Sequence, residues 1–177
     1  QEGAGVVSAA GPDANDFKIG DRVAYVGAMG AYADEIAIPA SRAIRLPDGI
    51  SDDIAAASML KGMTARYLLR KTFPVERGHT IVIHAAAGGV GQIVVQWAAH
   101  LGATVIAVVG SDAKGEIARG LGAHHIINSS REDIAERVRA ITGEGADVVY
   151  DSVGKDTFEA SLNSLKPLGM FVSFGNA

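Results

Sequence analysis

The chain has 177 residues, 48% of them apolar and 20% charged, with a formal net charge of −4 and no cysteine. That length supports one core, or one domain with part of a second; the composition excludes disulfides, a cysteine zinc site and a thiol nucleophile, and it lacks the basic stripe of a nucleic-acid binder. No apolar run is long enough for a membrane helix and no charged-then-apolar leader opens the chain, so the cytoplasm is the expected compartment.

From Gln1 to about Leu46 the chain reads as short β-like pieces: GVVSAAG, a turn at Gly11-Pro12-Asp13, then GDRVAYVG and AYADEIAIP, with glycine and proline between them. Residues 1–50 are therefore expected to form part of a mostly β domain. Because the sequence opens at Gln1 inside an apparent strand and stops at Ala177 just after another, it reads as a fragment. Pro47-Asp48-Gly49 marks a turn, Ser51 or Asp52 can cap a helix over DDIAAASML, and a second helix is expected over residues 64–71. Residues 51–79 then link two regions.

From Thr80 onward strands and helices alternate: IVIHA, a helix over 89–101, TVIAVV, a helix over 112–121, HHIIN, a helix over 131–141, DVVYD, a helix over 156–165, and MFVSF. Five strands with four intervening helices predict an α/β fold with a doubly wound parallel sheet over residues 80–177. Each helix keeps one apolar stripe to lay on the sheet, such as Ile134, Val138 and Ile141, or Phe158, Ser161, Leu162 and Leu165.

The first strand of this region ends in HAAAGGVG at residues 84–91. Its A-x-x-G-x-x-G spacing, from Ala85 through Gly88 to Gly91, stands where a strand turns into a helix and a pyrophosphate can meet backbone amides at the helix N-terminus. Ala87, Gly88, Gly89 and Val90 keep side chains small at the approach, Gly88 or Gly89 serves the turn, and Gly91 lets helix and strand pack closely. A ligand-free tight turn is the alternative; four further strand-helix alternations favour nucleotide binding.

Together, HAAAGGVG, GDRVAY at 20–25, LPDGIS at 46–51, LKGMTARYLLRK at 60–71, VVYDSVGKDTFEASL at 148–162 and MFVSFGN at 170–176 resemble the NADPH-dependent quinone oxidoreductases. These are the zeta-crystallin-like, zinc-free members of the medium-chain dehydrogenase/reductase superfamily. The resemblance implies a Rossmann domain, preceded by part of a GroES-like β domain, with a sixth strand beyond Ala177 forming the edge of a homodimer. It also implies NADPH as cofactor, and a quinone or another electron-poor conjugated carbonyl taking hydride in a cleft between domains. Gln1 stands where zinc-dependent relatives place a metal-ligand histidine, and the structural zinc lobe's four cysteines are lacking, so no metal is expected. His79, His84, His100, His124 and His125 show no His-Glu-x-x-His or i, i+4 pairing, and each reads as a strand-end, surface or core residue.

Residue by residue, the resemblance places Thr64 near the nicotinamide carboxamide and the loop Phe174-Gly175-Asn176 along the nicotinamide ribose. Ser152 and Val153 occupy the corresponding position after the fourth strand, beside Asp151, which is either a site residue or a turn residue. Gly110, Ser111 and Lys114 match the loop that accommodates the 2′-phosphate, and Ser129 stands where relatives carry a tyrosine. Asp112 reads either as a ribose acid or, preferably, as a helix N-cap. No catalytic residue is assigned, and the four tyrosines are taken as packing residues. Two other roles compete: an enoyl reductase module of a larger synthase, and a non-catalytic crystallin-like or RNA-binding role, the latter disfavoured by the acidic balance and few aromatics.

Overall fold

Three short strands make the first sheet. β1 (Glu2–Val6) runs antiparallel to β2 (Arg22–Val26), and β2 antiparallel to β3 (Ala43–Arg45), in the order β1-β2-β3. The structure is a computed structural model describing residues 1–14 and 16–175, and it divides into a unit of Gln1–Met63 and a second unit beginning at Thr64. The strand expected over AYADEIAIP does not form. Residues 31–39 are irregular, and the third strand comes only after a 3-10 turn at Ala40–Arg42. Asp34, Glu35 and Pro39 explain this, since adjacent acids and a proline suit a sheet poorly.

The two helices expected between 52 and 71 are one helix, α1 (Asp52–Tyr67), which closes in a π turn at Leu68–Thr72. No proline interrupts the segment, and its lone glycine costs a helix interior only about 1 kcal/mol. Ser51 starts it, its hydroxyl accepting from the Ile54 amide at 3.3 Å. Asp52 instead accepts two bonds from the Arg22 guanidinium, at 3.0 and 2.7 Å.

The second unit alternates as the sequence predicts: β4 (Thr80–Ile83), α2 (Gly89–His100), β5 (Thr104–Val109), α3 (Asp112–Gly120), β6 (His125–Asn128), α4 (Ile134–Thr142), β7 (Ala146–Asp151), α5 (Phe158–Asn163) and β8 (Leu165–Ser173). The strands lie in the order β6-β5-β4-β7-β8 and every pair is parallel. Burial on both faces explains why these strands are continuous apolar runs. Ile81, Ile83, Val105, Ala107, Val148 and Tyr150 point to one side, packing with Val94, Val95 and Ala98 of α2. Val82, Ile106, Val108 and Val149 point to the other, packing with Ile134 and Val138 of α4.

Some boundaries move. Asp133 caps α4 by accepting from the Glu136 amide at 2.8 Å, so that helix starts at Ile134 rather than 131. α5 shortens to six residues, and β8 begins at Leu165 instead of Met170. The strand order reverses beside β4: the chain leaves outward through β5 and β6, then returns on its other side as β7. Open α/β sheets bind ligands at such a switch point, outside the carboxyl ends of the strands.

Candidate functional site at the carboxyl ends of the strands

β4 ends at the switch point in His84 and the glycine turn. Ala85 there has φ 49°, a left-handed backbone that costs an alanine about 1–2 kcal/mol. Its carbonyl turns inward to accept the Gly88 amide at 2.8 Å. Gly88 is the N-cap of α2, and no acidic residue occupies that helix's first turn. Gly91 is buried where a Cβ would lie 2.7 Å from the Ala86 Cα, so only glycine permits this approach. Gln92 holds the turn from below, its side chain donating to the Ala87 carbonyl at 2.9 Å. Gly88 and Gly89 are exposed, and Ala87 and Val90 half-buried, which leaves the amino end of α2 open to an anion.

The carboxyl ends of β5 and β6 adjoin. Gly110 is exposed with nothing within 4 Å of an added Cβ. The cap of α3 is Ser111, not Asp112: Ser111 has the extended backbone (φ −162°) that capping needs, and its hydroxyl faces the Lys114 amide at 3.4 Å. Asp112 instead accepts two bonds from Arg131, at 3.0 and 2.7 Å, and one from the Asn128 amide group at 2.9 Å. Its carboxylate is thus already engaged. Lys114 is exposed with no ion pair among the described residues, and the Ser129 hydroxyl donates to the Val109 carbonyl at 3.2 Å.

Asp151, at the end of β7, is fully buried and organises the next loop. One oxygen accepts the amides of Val153 at 2.8 Å and Gly154 at 3.0 Å, and both accept from Thr157 Oγ1. These bonds are those of a turn residue. Ser161 donates to its other oxygen at 2.6 Å and lies 3.0 Å from His84 Nε2. Burial alone would raise the Asp151 carboxyl, but the bonds from Ser161, Gly154, Thr157 and Val153 outweigh it and hold the group below its ordinary value. Burial likewise pushes His84 down, against the opposing pull of Asp151. Ser152 is half-buried and Val153 exposed; Phe174 donates its amide to the Asp151 carbonyl at 3.0 Å, with Gly175 exposed beyond it. Asn176 lies outside the described residues. Thr64 is half-buried on α1.

Tyr150 is a packing residue, its hydroxyl reaching the Leu68 carbonyl at 3.2 Å and its pKa raised by burial. Tyr25 is buried as well, whereas Tyr32 and Tyr67 are exposed. An open polar depression of about 600 Å³ lies at the opposite, amino edge of the sheet, beside His79, Thr80, Asp147 and Lys166. It is far from the glycine turn, and Asp147 and Lys166 are there committed to each other at 2.5 Å.

Residues 89–177 match the family model described as zinc-binding dehydrogenase. The chain belongs to that family. It is a medium-chain dehydrogenase/reductase similar to quinone oxidoreductases. It is 52% identical over 180 residues to a 2-haloacrylate reductase from a Burkholderia species, covering 99% of this chain and 54% of that protein. Against a quinone oxidoreductase of Pseudomonas aeruginosa the identity is 51% over 178 residues, covering 99% and 55%. The crystal structure of Escherichia coli quinone oxidoreductase complexed with NADPH superposes with a TM-score of 0.96 at 49% identity, covering 99% of this chain and 54% of that one. The chain spans about half the length of the curated relatives it matches.

The family's description names zinc, and the residues present do not fit it. The chain has no cysteine, and among the described residues no three His, Asp or Glu side chains are grouped to hold a metal ion. The glycine turn, in contrast, fits a dinucleotide: a cradle that a Cβ would fill lies under an open helix N-terminus at the switch point.

Proposed function

We propose that this chain carries the cofactor-binding part of an NADPH-dependent reductase of quinones or related conjugated carbonyls, working by hydride transfer without a metal. The observation that carries this reading is the Ala85–Gly91 turn, whose close backbone packing leaves room for a pyrophosphate at the amino end of α2. Similarity to a quinone oxidoreductase solved with NADPH and to a 2-haloacrylate reductase supports the cofactor and an electron-poor conjugated acceptor. The bound nicotinamide supplies the hydride; the protein binds, orients and shields.

In this reading Ala87, Gly88, Gly89, Val90 and Gly91 hold the pyrophosphate, and Gly110, Ser111, Lys114 and Ser129 surround the 2′-phosphate. Ser152, Val153, Phe174, Gly175 and Asn176 line the nicotinamide ribose, and Thr64 approaches the carboxamide. Residues 80–177 form the dinucleotide-binding domain, 51–79 link it, and 1–50 belong to a GroES-like catalytic domain. We further propose a cytoplasmic homodimer without membrane or nucleic-acid partners. The pairing rests on the resemblance to the quinone oxidoreductases, in which a sixth strand forms the dimer edge.

The test is NADPH oxidation by the full-length protein with a naphthoquinone, a benzoquinone, a 2-haloacrylate and an enoyl thioester. Turnover of a quinone or small conjugated acid is expected. Oxidation only with the thioester would favour a synthase enoyl reductase, and none with any acceptor would overturn the reading.

A further inference from the structure

His84, Ser161 and Asp151 form a buried chain of side-chain hydrogen bonds at the switch point, joining the end of β4 to the end of β7 through α5. Their relative exposures are 1%, 0% and 0%. The direction of the chain follows from proton counting. An ionised Asp151 can only accept, so Ser161, 2.6 Å away, donates its one hydroxyl proton to it. The Ser161 oxygen is then left as an acceptor, and His84 Nε2 at 3.0 Å must carry the proton between them. Neutral His84 is accordingly the Nε2–H tautomer, the protonation state that its burial favours.

This is not a hydrolytic triad, in which the histidine stands between serine and acid. Here the serine stands in the middle, its proton is committed to the carboxylate, and no substrate reaches its oxygen. What the chain does join is two loops. His84 precedes the left-handed Ala85 and the glycine turn, while Asp151 holds the amides of Val153 and Gly154 and its carbonyl takes the Phe174 amide.

We propose that His84 and Ser161 are positioning residues for the dinucleotide: through Asp151 they lock the pyrophosphate turn and the 152–154 loop into one geometry. The proposal rests on the NADPH reading above. Because Asp151 keeps its donors from Val153, Gly154 and Thr157 when Ser161 is truncated, Ser161→Ala leaves no orphaned charge and should fold.

The experiment measures the His84 tautomer by nitrogen-15 NMR, the NADPH dissociation constant by fluorescence titration, and amide exchange in residues 85–91 and 152–154. The Nε2–H tautomer is expected in the parent. Ser161→Ala and His84→Leu should each weaken NADPH binding about fivefold or more and speed exchange in both segments, with the double variant no worse than either single one. His84→Gln, which keeps a donor at the Nε2 position, should restore affinity. An Nδ1–H tautomer, or variants that lose thermal stability while binding NADPH like the parent, would overturn the proposal alone. A parent that binds no NADPH would sink the cofactor reading and this proposal with it.

Discussion

The Ala85 carbonyl stands where a side chain on Gly91 would have to go: an added Cβ would lie 2.7 Å from Ala86 Cα and closer still to the Ala85 oxygen. Both obstacles are backbone, so neither can swing aside. Gly91→Val should therefore displace the turn and weaken NADPH binding at least tenfold, about 1.4 kcal/mol. Gly88→Val, whose Cβ would lie 3.0 Å from the same oxygen, should also lose affinity, to a smaller degree. Gly62→Ala is the control: nothing lies within 4 Å of its Cβ, and it should gain about 0.5–1 kcal/mol of stability from the helix interior. Titration and thermal unfolding of the three variants check this; NADPH binding unchanged in Gly91→Val would remove the turn from the site.

Cofactor choice should rest on Lys114. Its ammonium is exposed and unpaired among the described residues, while the nearby Asp112, the acid that the sequence offers for a ribose hydroxyl, is taken up by Arg131 and Asn128. The expected preference is NADPH over NADH, with Lys114→Ala lowering NADPH affinity by about 1–2 kcal/mol and leaving NADH nearly unchanged. Equal losses for both cofactors would show that Lys114 does not read the 2′-phosphate.

Metal removal should change nothing. Metal-free hydride transfer, as proposed above, predicts that elemental analysis finds no stoichiometric zinc and that chelators leave turnover intact. One equivalent of zinc, lost together with activity on chelation, would contradict this.

Much of the Rossmann sheet was legible because its strands are buried on both faces and its helices on one. TVIAVV and DVVYD have no polar alternation to confuse, and Ile134, Val138 and Ile141 mark the packed stripe of α4. The β-rich unit was less legible: AYADEIAIP carries apolar residues at strand-like spacing, but its acids and proline leave it irregular. In GSDAK both Ser111 and Asp112 are capping residue types, and only the extended backbone at Ser111 decides between them. Ser161 was read as filling an apolar stripe. Its burial agrees with that, but its partner His84 is 77 residues away, a separation that local pattern cannot bridge.

Acid unfolding should proceed in two stages, the first belonging to His84. Burial depresses this histidine below its ordinary 6.5, so the unfolded chain takes up a proton that the folded one refuses. The stability this confers is complete above about pH 6.5 and declines as the pH falls below it toward the folded value. The carboxylates follow. Asp147 and Asp151 are both held below their ordinary 3.8: burial, which would raise them, is outweighed at Asp147 by Lys166 and the Thr80 amide, and at Asp151 by Ser161 and the loop donors. Their contribution persists above about pH 4 and is lost as the pH falls through their folded values. Urea unfolding at successive pH values should therefore show stability falling already between pH 6.5 and 4.5, then more steeply. His84→Gln, which cannot titrate, should flatten the first stage and leave the second. A first stage that survives the substitution unchanged would assign it to another group.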